Sequence, residues 1–238
     1  MEYEKQLVAF IDILGFQKIT EEIEHDKKRF QRLYEELTTW FSGTRSSSFE
    51  KDFMPKKYMF SDNIAVCSKQ IDSNSIHFFL NSINHLCGRM AYYGFWTRGG
   101  IYYGNIKHDG QVLFGKALNE AYKIESQMAL YPRIVVDEEA YELMIKSTNY
   151  DEHSNMCNFL FERDIDGLMC VSYIKAPSFT INLDKYGKEK CHGSLTIEQY
   201  HTEIEKNILA DLEKYKGNSK IVQKLNYLFE KFNRLKKS

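Results

Sequence analysis

The chain has 238 residues, 43% hydrophobic and 14% aromatic, with a formal net charge of -1 at pH 7. That composition fills a core and excludes disorder as the main state. The near-neutral balance excludes a global basic field that would collect nucleic acid. The length fits one large domain, or one domain with an appendage.

In chain order, the opening "MEYEKQ" is charged and lacks the apolar region of a signal peptide. Leu7 to Ile13 reads as an apolar strand that carries Asp12 and turns at Gly15. Phe30, Leu33, Leu37 and Phe41 recur at helical spacing. Tyr58 to Cys67 reads as two strands broken by "SDN", a turn former. Ile76, Phe79, Ile83, Leu86 and Met90 mark a helix, and Thr97 to Tyr103 a strand beginning "TRGGIYYG". A short strand at Val112 to Phe114 leads into a helix buried through Ala117, Ala121, Ile124 and Met128. "RIVV" (Arg133 to Val136) is a strand, followed by a helix over "DEEAYELMI", whose acidic first turn suits the helix dipole. Phe159 to Phe161 and Met169 to Ile174 are late strands.

Two apolar stripes close the chain: Ile197, Tyr200, Ile204, Ile208 and Leu212, then Ile221, Leu225, Leu228, Phe232 and Leu235. With "KGNS" between them they predict a helical hairpin. The polar stretches Ser42 to Asp52, Lys146 to Asn155 and Tyr186 to Ser194 are loops. The alternation predicts an α+β fold, a mostly antiparallel sheet flanked by helices. Five cysteines (Cys67, Cys87, Cys157, Cys170 and Cys191), with no C-x-x-C pair, read as buried thiols of a reducing compartment. No apolar run approaches the ~20 residues of a membrane span. The expectation is a cytoplasmic protein that binds neither membrane nor nucleic acid.

Asp12 is the residue that composition does not explain. A carboxylate in an apolar strand is costly unless compensated, and a divalent cation is one compensation. Asp62, at the tip of the expected hairpin, is a second candidate ligand if that hairpin lies beside the first strand. Paired carboxylates suit Mg²⁺ or Mn²⁺ with phosphates. A helix starting after Gly15 and Phe16 would turn backbone N–H groups to the same place. Asn119 and Lys123 lie four apart on their helix, on a face other than the buried one, where an amide and an ammonium can grip a sugar oxygen and a phosphate. Arg133 is a further candidate for triphosphate contact, while Arg98 reads as an ion-pair partner.

These segments together resemble the class III nucleotidyl cyclases. That family's order is F-x-D-I-x-G-F, a G-D hairpin, R-x-G-I-x-x-G and a V-N-x-A-x-R helix. This chain has "FIDILGF" (Phe10 to Phe16), "FSDN" (Phe60 to Asn63), "RGGIYYG" (Arg98 to Gly104) and "LNEAYK" (Leu118 to Lys123). The match runs from about Leu7 to Val136. The resemblance implies a ferredoxin-like core, with residues 1–180 as the catalytic domain and 181–238 as a C-terminal helical extension. It implies two divalent cations, Mg²⁺ or Mn²⁺, on Asp12, Asp62 and the Ile13 carbonyl. It implies that Asn119 orients the ribose and that Lys123 steadies charge on the transferred phosphorus. The implied partners are a nucleoside triphosphate, a second copy of the chain sharing the active sites, and a separate effector that reads the cyclic product.

Four positions depart from the family pattern. Lys123 replaces an arginine and loses its bidentate fork. Ser61 replaces the glycine before the second aspartate. Tyr58 and Val112 stand where adenylyl cyclases carry the lysine and aspartate that read adenine. Tyr58 can stack on a base and offers one hydroxyl, which points to a pyrimidine, UTP or CTP. In this the chain is similar to the pyrimidine cyclases of the Pycsar anti-phage system, which make cyclic UMP or cyclic CMP. A purine cyclase and a catalytically silent nucleotide-binding domain are the alternatives.

Overall fold

The structure, a computed structural model, describes residues 3–42, 51–109, 112–148, 160–175 and 196–236. The order is β1 (Glu4–Ile13), α1 (Phe16–Ile23), α2 (Lys27–Ser42), β2 (Lys56–Phe60), β3 (Asn63–Cys67), α3 (Ser73–Tyr92), β4 (Thr97–His108), β5 (Leu113–Phe114), α4 (Lys116–Gln127), β6 (Ile134–Val136), α5 (Glu138–Thr148), β7 (Phe161–Arg163), β8 (Met169–Val171), α6 (Ile197–Lys214) and α7 (Ser219–Leu235). The strands form one sheet in the order β2-β3-β1-β4-β6-β8-β7, with β5 paired to β4. β4 and β6 run parallel, and the other pairs are antiparallel. The fold is the expected α+β arrangement: a mostly antiparallel sheet flanked by helices, with a C-terminal helical hairpin.

β1 is apolar on successive residues because both of its faces are covered. Leu7, Ala9, Ile11 and Ile13 belong to the main core, with Ile19, Trp40, Phe79, Met144, Ile204 and Leu228 from the helices of that side. Val8 and Phe10 point the other way, onto Ala117 and Ala121 of α4. Side chains alternate along a strand, so Asp12 shares the α4 face with Val8 and Phe10.

The two faces are unequally clothed. One carries α1, α2, α3, α5, α6 and α7, and the other is packed by α4. Gly100 makes that second packing possible. A Cβ there would lie 2.4 Å from the Ala121 carbonyl oxygen and 2.6 Å from Ile124 Cβ, so only a bare backbone lets α4 lie this close to β4.

The hairpin completes the main core. Tyr200, Ile204 and Ile208 of α6 and Leu225, Leu228 and Phe232 of α7 are buried in it. The Tyr200 hydroxyl donates to the Tyr173 carbonyl at 2.9 Å, and Trp96 Nε1 donates to Asp211 at 2.7 Å. The expected domain boundary near residue 180 lies outside the described residues.

Several sequence expectations shift. β4 runs on to His108 because it pairs with β1 as far as Ile106, opposite Glu4, and then with β5 through Lys107 and His108. The late strands are Phe161–Arg163 and Met169–Val171, and residue 159 lies outside the described residues. Phe30, expected on the buried stripe of α2, is half exposed and stacked on Tyr34, one turn onward. Ile197 and Met128 are exposed at helix ends, where the core no longer reaches. Of the cysteines, Cys67, Cys87 and Cys170 are free and buried, and Cys157 and Cys191 lie outside the described residues. Among the described residues no helix is long and apolar enough to cross a membrane.

Candidate active site

Strand register builds the site. Asp12 is the last residue but one of β1, opposite Asn63 of β3 on one side and Arg98 of β4 on the other. The Ile13 N–H donates to the Asp62 carbonyl at 3.2 Å, which zips the β2–β3 turn onto the end of β1. The Asp12 and Asp62 carboxyls come within hydrogen-bonding reach of each other. Asn63 Nδ2 donates to Asp62 Oδ1 at 3.1 Å and steadies it. The turn itself is strained: Ser61, where the resembled family has glycine, sits at φ 61, a left-handed conformation that disfavours side chains.

Two neighbours surround the aspartates that the sequence did not assign to the site. Arg98 Nε donates to Asp12 Oδ2 at 3.0 Å, and Arg98 Nη2 approaches Glu125 Oε1 of α4 at 2.7 Å. Arg98 is thus the ion-pair partner its position suggested. Glu125 is 3% exposed. Its signal was legible as a carboxylate four residues after Ala121, at the edge of the buried stripe of α4.

Charge compensation is incomplete here. Burial raises the Asp12 carboxyl above the usual carboxylate range; Arg98 opposes this, and the adjacent Asp62 adds to it. Burial likewise pushes Glu125 up to about 7, against the pull of Arg98 and with the help of Asp12 and Asp62. Like charges in contact and partly removed from water favour a bound cation. Arg98 supplies one positive charge, and Asp12 still holds its proton more tightly than normal. Among the described residues no three or more His, Cys, Asp or Glu side chains are grouped to hold a metal ion. A cation here would therefore take two carboxylates and fill its shell with backbone, water or phosphate oxygens, the ordinary habit of Mg²⁺. The donor set fits such an ion.

Gly15 follows with φ 73 and ψ 24 and precedes the first residue of α1. This left-handed turn redirects the chain from strand to helix directly after the aspartate. The Phe16 ring packs on the main core, so what it can offer a ligand is its backbone N–H. Tyr58, on β2, packs its ring into the small apolar cluster of Val8, Phe10, Ala117 and Ala121, 5.9 Å from the His108 ring.

Asn119 and Lys123 lie on the outer face of α4. They border an open surface pocket with Tyr3, Phe114, Glu120 and Tyr122. Lys123 Nζ pairs with Glu120 at 2.8 Å. Among the described residues no hydrogen bond or ion pair links Asn119 or Lys123 to Asp12 or Asp62. One chain therefore brings the two aspartates together and leaves the helix pair facing outward.

Arg133 goes elsewhere. The sequence offered it to the triphosphate, but it is 2% exposed and tied to Asp164 at 3.0 Å, Asp166 at 2.6 Å and the Met128 carbonyl at 2.9 Å. The aspartates lie on the β7–β8 connection, and that pairing could not be read from spacing.

No family model matches the sequence, and no curated protein matches it. Among solved structures, a bacterial light-regulated adenylyl cyclase matches with a TM-score of 0.45 and 13% identity. The match covers 86% of this chain and 59% of that one, so the chain spans less than two thirds of its length.

Proposed function

We propose that this chain is a metal-dependent nucleotidyl cyclase that acts as a homodimer and prefers UTP or CTP. The observation that carries the proposal is the juxtaposition of Asp12 and Asp62, distant in sequence and brought together by the β1–β3 register and the Ile13–Asp62 backbone bond. In the reaction the ribose 3′-oxygen attacks the α-phosphorus, the bond to the β-phosphate oxygen breaks, and pyrophosphate leaves as the 3′,5′ ring closes. Two divalent cations, Mg²⁺ or Mn²⁺, held by Asp12, Asp62 and the Ile13 carbonyl, would activate that oxygen and stabilise the leaving group. The N–H groups of Gly15 and Phe16 would hold phosphate oxygens. Asn119 orients the ribose, Lys123 stabilises charge on phosphorus, and Tyr58 stacks on the base.

Shared sites are supported by the outward position of Asn119 and Lys123 and by their surroundings. Tyr3, Phe60, Phe114 and Tyr122, each about half exposed, lie around the thinly covered α4 face. Tyr122 and Phe60 both touch the ring of Phe10. An aromatic patch of this kind is a surface for a partner, and a second copy would bring its own Asn119 and Lys123 to this chain's aspartates. In the same reading the product is a second messenger in anti-phage defence, read by a separate effector.

The test is a panel of four ribonucleoside triphosphates with Mn²⁺, pyrophosphate detection and mass analysis of the product. The expected result is a cyclic pyrimidine nucleotide, lost in Asp12→Ala. A cyclic purine would revise the base preference. Nucleotide binding without pyrophosphate release would show a silent domain, and turnover by Asp12→Ala would remove the metal assignment.

A further inference from the structure

The C-terminal hairpin stands outside the four motifs, yet one of its cations lines a cavity beside the turn that follows Asp12. A cavity of about 200 Å³ opens beside the β1–α1 turn, with Leu14, Gly15 and Lys18 on one side, Pro132 beyond, and Lys224 and Leu225 of α7 opposite. Its acid, Asp211, is engaged by Trp96 Nε1. The other basic groups at this cavity have occupations: Arg29 pairs with Glu22 at 3.2 Å, and Lys18 lies over the Tyr215 ring at 4.3 Å. Lys224 differs. It is half-buried, and among the described residues it makes no ion pair or hydrogen bond. Its ammonium feels Arg98, Asp12 and Glu125 across the end of the sheet. A lysine three residues after Ile221 and four before Leu228 sits on the core-facing side of its helix, a costly place for a charge with nothing to bind.

We infer that Lys224 is a substrate-binding residue contributed by the C-terminal hairpin, its ammonium meeting the polyphosphate end of the nucleotide beside the Gly15 turn. The inference rests on the cyclase reading for the identity of the anion. An ammonium on a stem anchored by Ile221 and Leu225 presents a point charge to non-bridging phosphate oxygens. It lines the cavity with Gly15 and Leu14, so it balances the incoming negative charge where Arg98 is already committed. The hairpin is then part of the site, and its docking on the core sets the position of this charge.

The experiment compares wild type with Lys224→Ala and Lys224→Arg in the full chain, with three readouts. These are KM and kcat for the preferred triphosphate, binding of pyrophosphate with Mn²⁺ by calorimetry, and thermal midpoint. The expected result for Lys224→Ala is a KM about 10-fold higher and pyrophosphate binding weakened by a similar factor. Its thermal midpoint should be unchanged, and Lys224→Arg should restore both constants. Wild-type turnover with unaltered KM and pyrophosphate binding in Lys224→Ala overturns the inference and leaves the cyclase reading standing. A variant altered only in thermal midpoint assigns Lys224 a structural role and also overturns it. If wild type binds pyrophosphate through Lys224 but turns over no triphosphate, the cyclase reading falls and the phosphate contact stands. Absence of both turnover and pyrophosphate binding in wild type overturns both.

Discussion

Two clusters in this molecule are built from the same parts and behave oppositely. At the end of β1, Arg98 lies between Asp12 and Glu125, with Asp62 beside them. At the β7–β8 turn, Arg133 lies between Asp164 and Asp166. In the first, burial wins and the Asp12 and Glu125 carboxyls titrate above their ordinary range. In the second, burial opposes but the charge of Lys231, the Tyr227 hydroxyl and Arg133 outweigh it, holding Asp164 down to about 2. Asp166 is lowered too, with Arg133 outweighing burial. The difference is direct contact: Arg133, Lys231 and the Tyr227 hydroxyl all reach Asp164, whereas among the described residues Asp12 and Glu125 ion-pair with Arg98. Lys231 also reaches Glu162 at 2.6 Å, so the second cluster ties α7 to the β7–β8 hairpin with its charges satisfied. In the first, burial outweighs the pull of Arg98, and such shifted carboxyls mark a candidate functional site.

The sharpest way to break this comparison is to neutralise one carboxylate in each cluster. Asp164→Asn should destabilise the fold by about 3–5 kcal/mol, because it leaves buried Arg133 and Lys231 short of a partner. Asp62→Asn should leave the urea midpoint near wild type or raise it, while turnover falls by at least ~100-fold. A marked loss of stability in Asp62→Asn would mean that both clusters are structural.

The pH dependence separates the clusters next. Glu125 has its folded-state pKa raised, to about 7, so its favourable share of stability is complete below its unfolded value and is lost as pH rises through about 7. Asp164 has its folded-state pKa lowered, to about 2, so its share is present above its unfolded value and is lost as pH falls toward 2. Unfolding free energies from pH 3 to 8 should therefore show wild type declining relative to Glu125→Gln between about pH 5 and 7, by on the order of 2 kcal/mol. The gap between wild type and Asp164→Asn should close only below about pH 4. Parallel curves for wild type and Glu125→Gln would contradict the undercompensated reading.

The smallest effect is expected at the turn that presents Asp62. Ser61 holds a left-handed φ of 61, so Ser61→Gly should stabilise the protein by about 0.5–1 kcal/mol in chemical denaturation. Turnover should be unchanged if the turn already has the geometry the site uses. A destabilised Ser61→Gly would show that the serine side chain contributes more than its backbone strain costs.

The sequence by itself marked most of the elements and singled out the two aspartates. Period-2 and period-3.6 spacings mark the strands and helices, because each buries a face whose repeat is set by backbone geometry. Asp12 stood out because a charge in the apolar run "VAFIDILGF" has no local reason to be there. Tertiary structure decided the partners. The register of β1 against β3 and β4 brought Asp62 and Arg98 to Asp12. The packing of α4 on Gly100 added Glu125. The β7–β8 turn took Arg133 away from the site, and α7 placed Lys224 at the cavity beside the Gly15 turn. Ion pairs between remote residues follow from how close the fold brings them and how much water it removes, and neither quantity is written in local spacing.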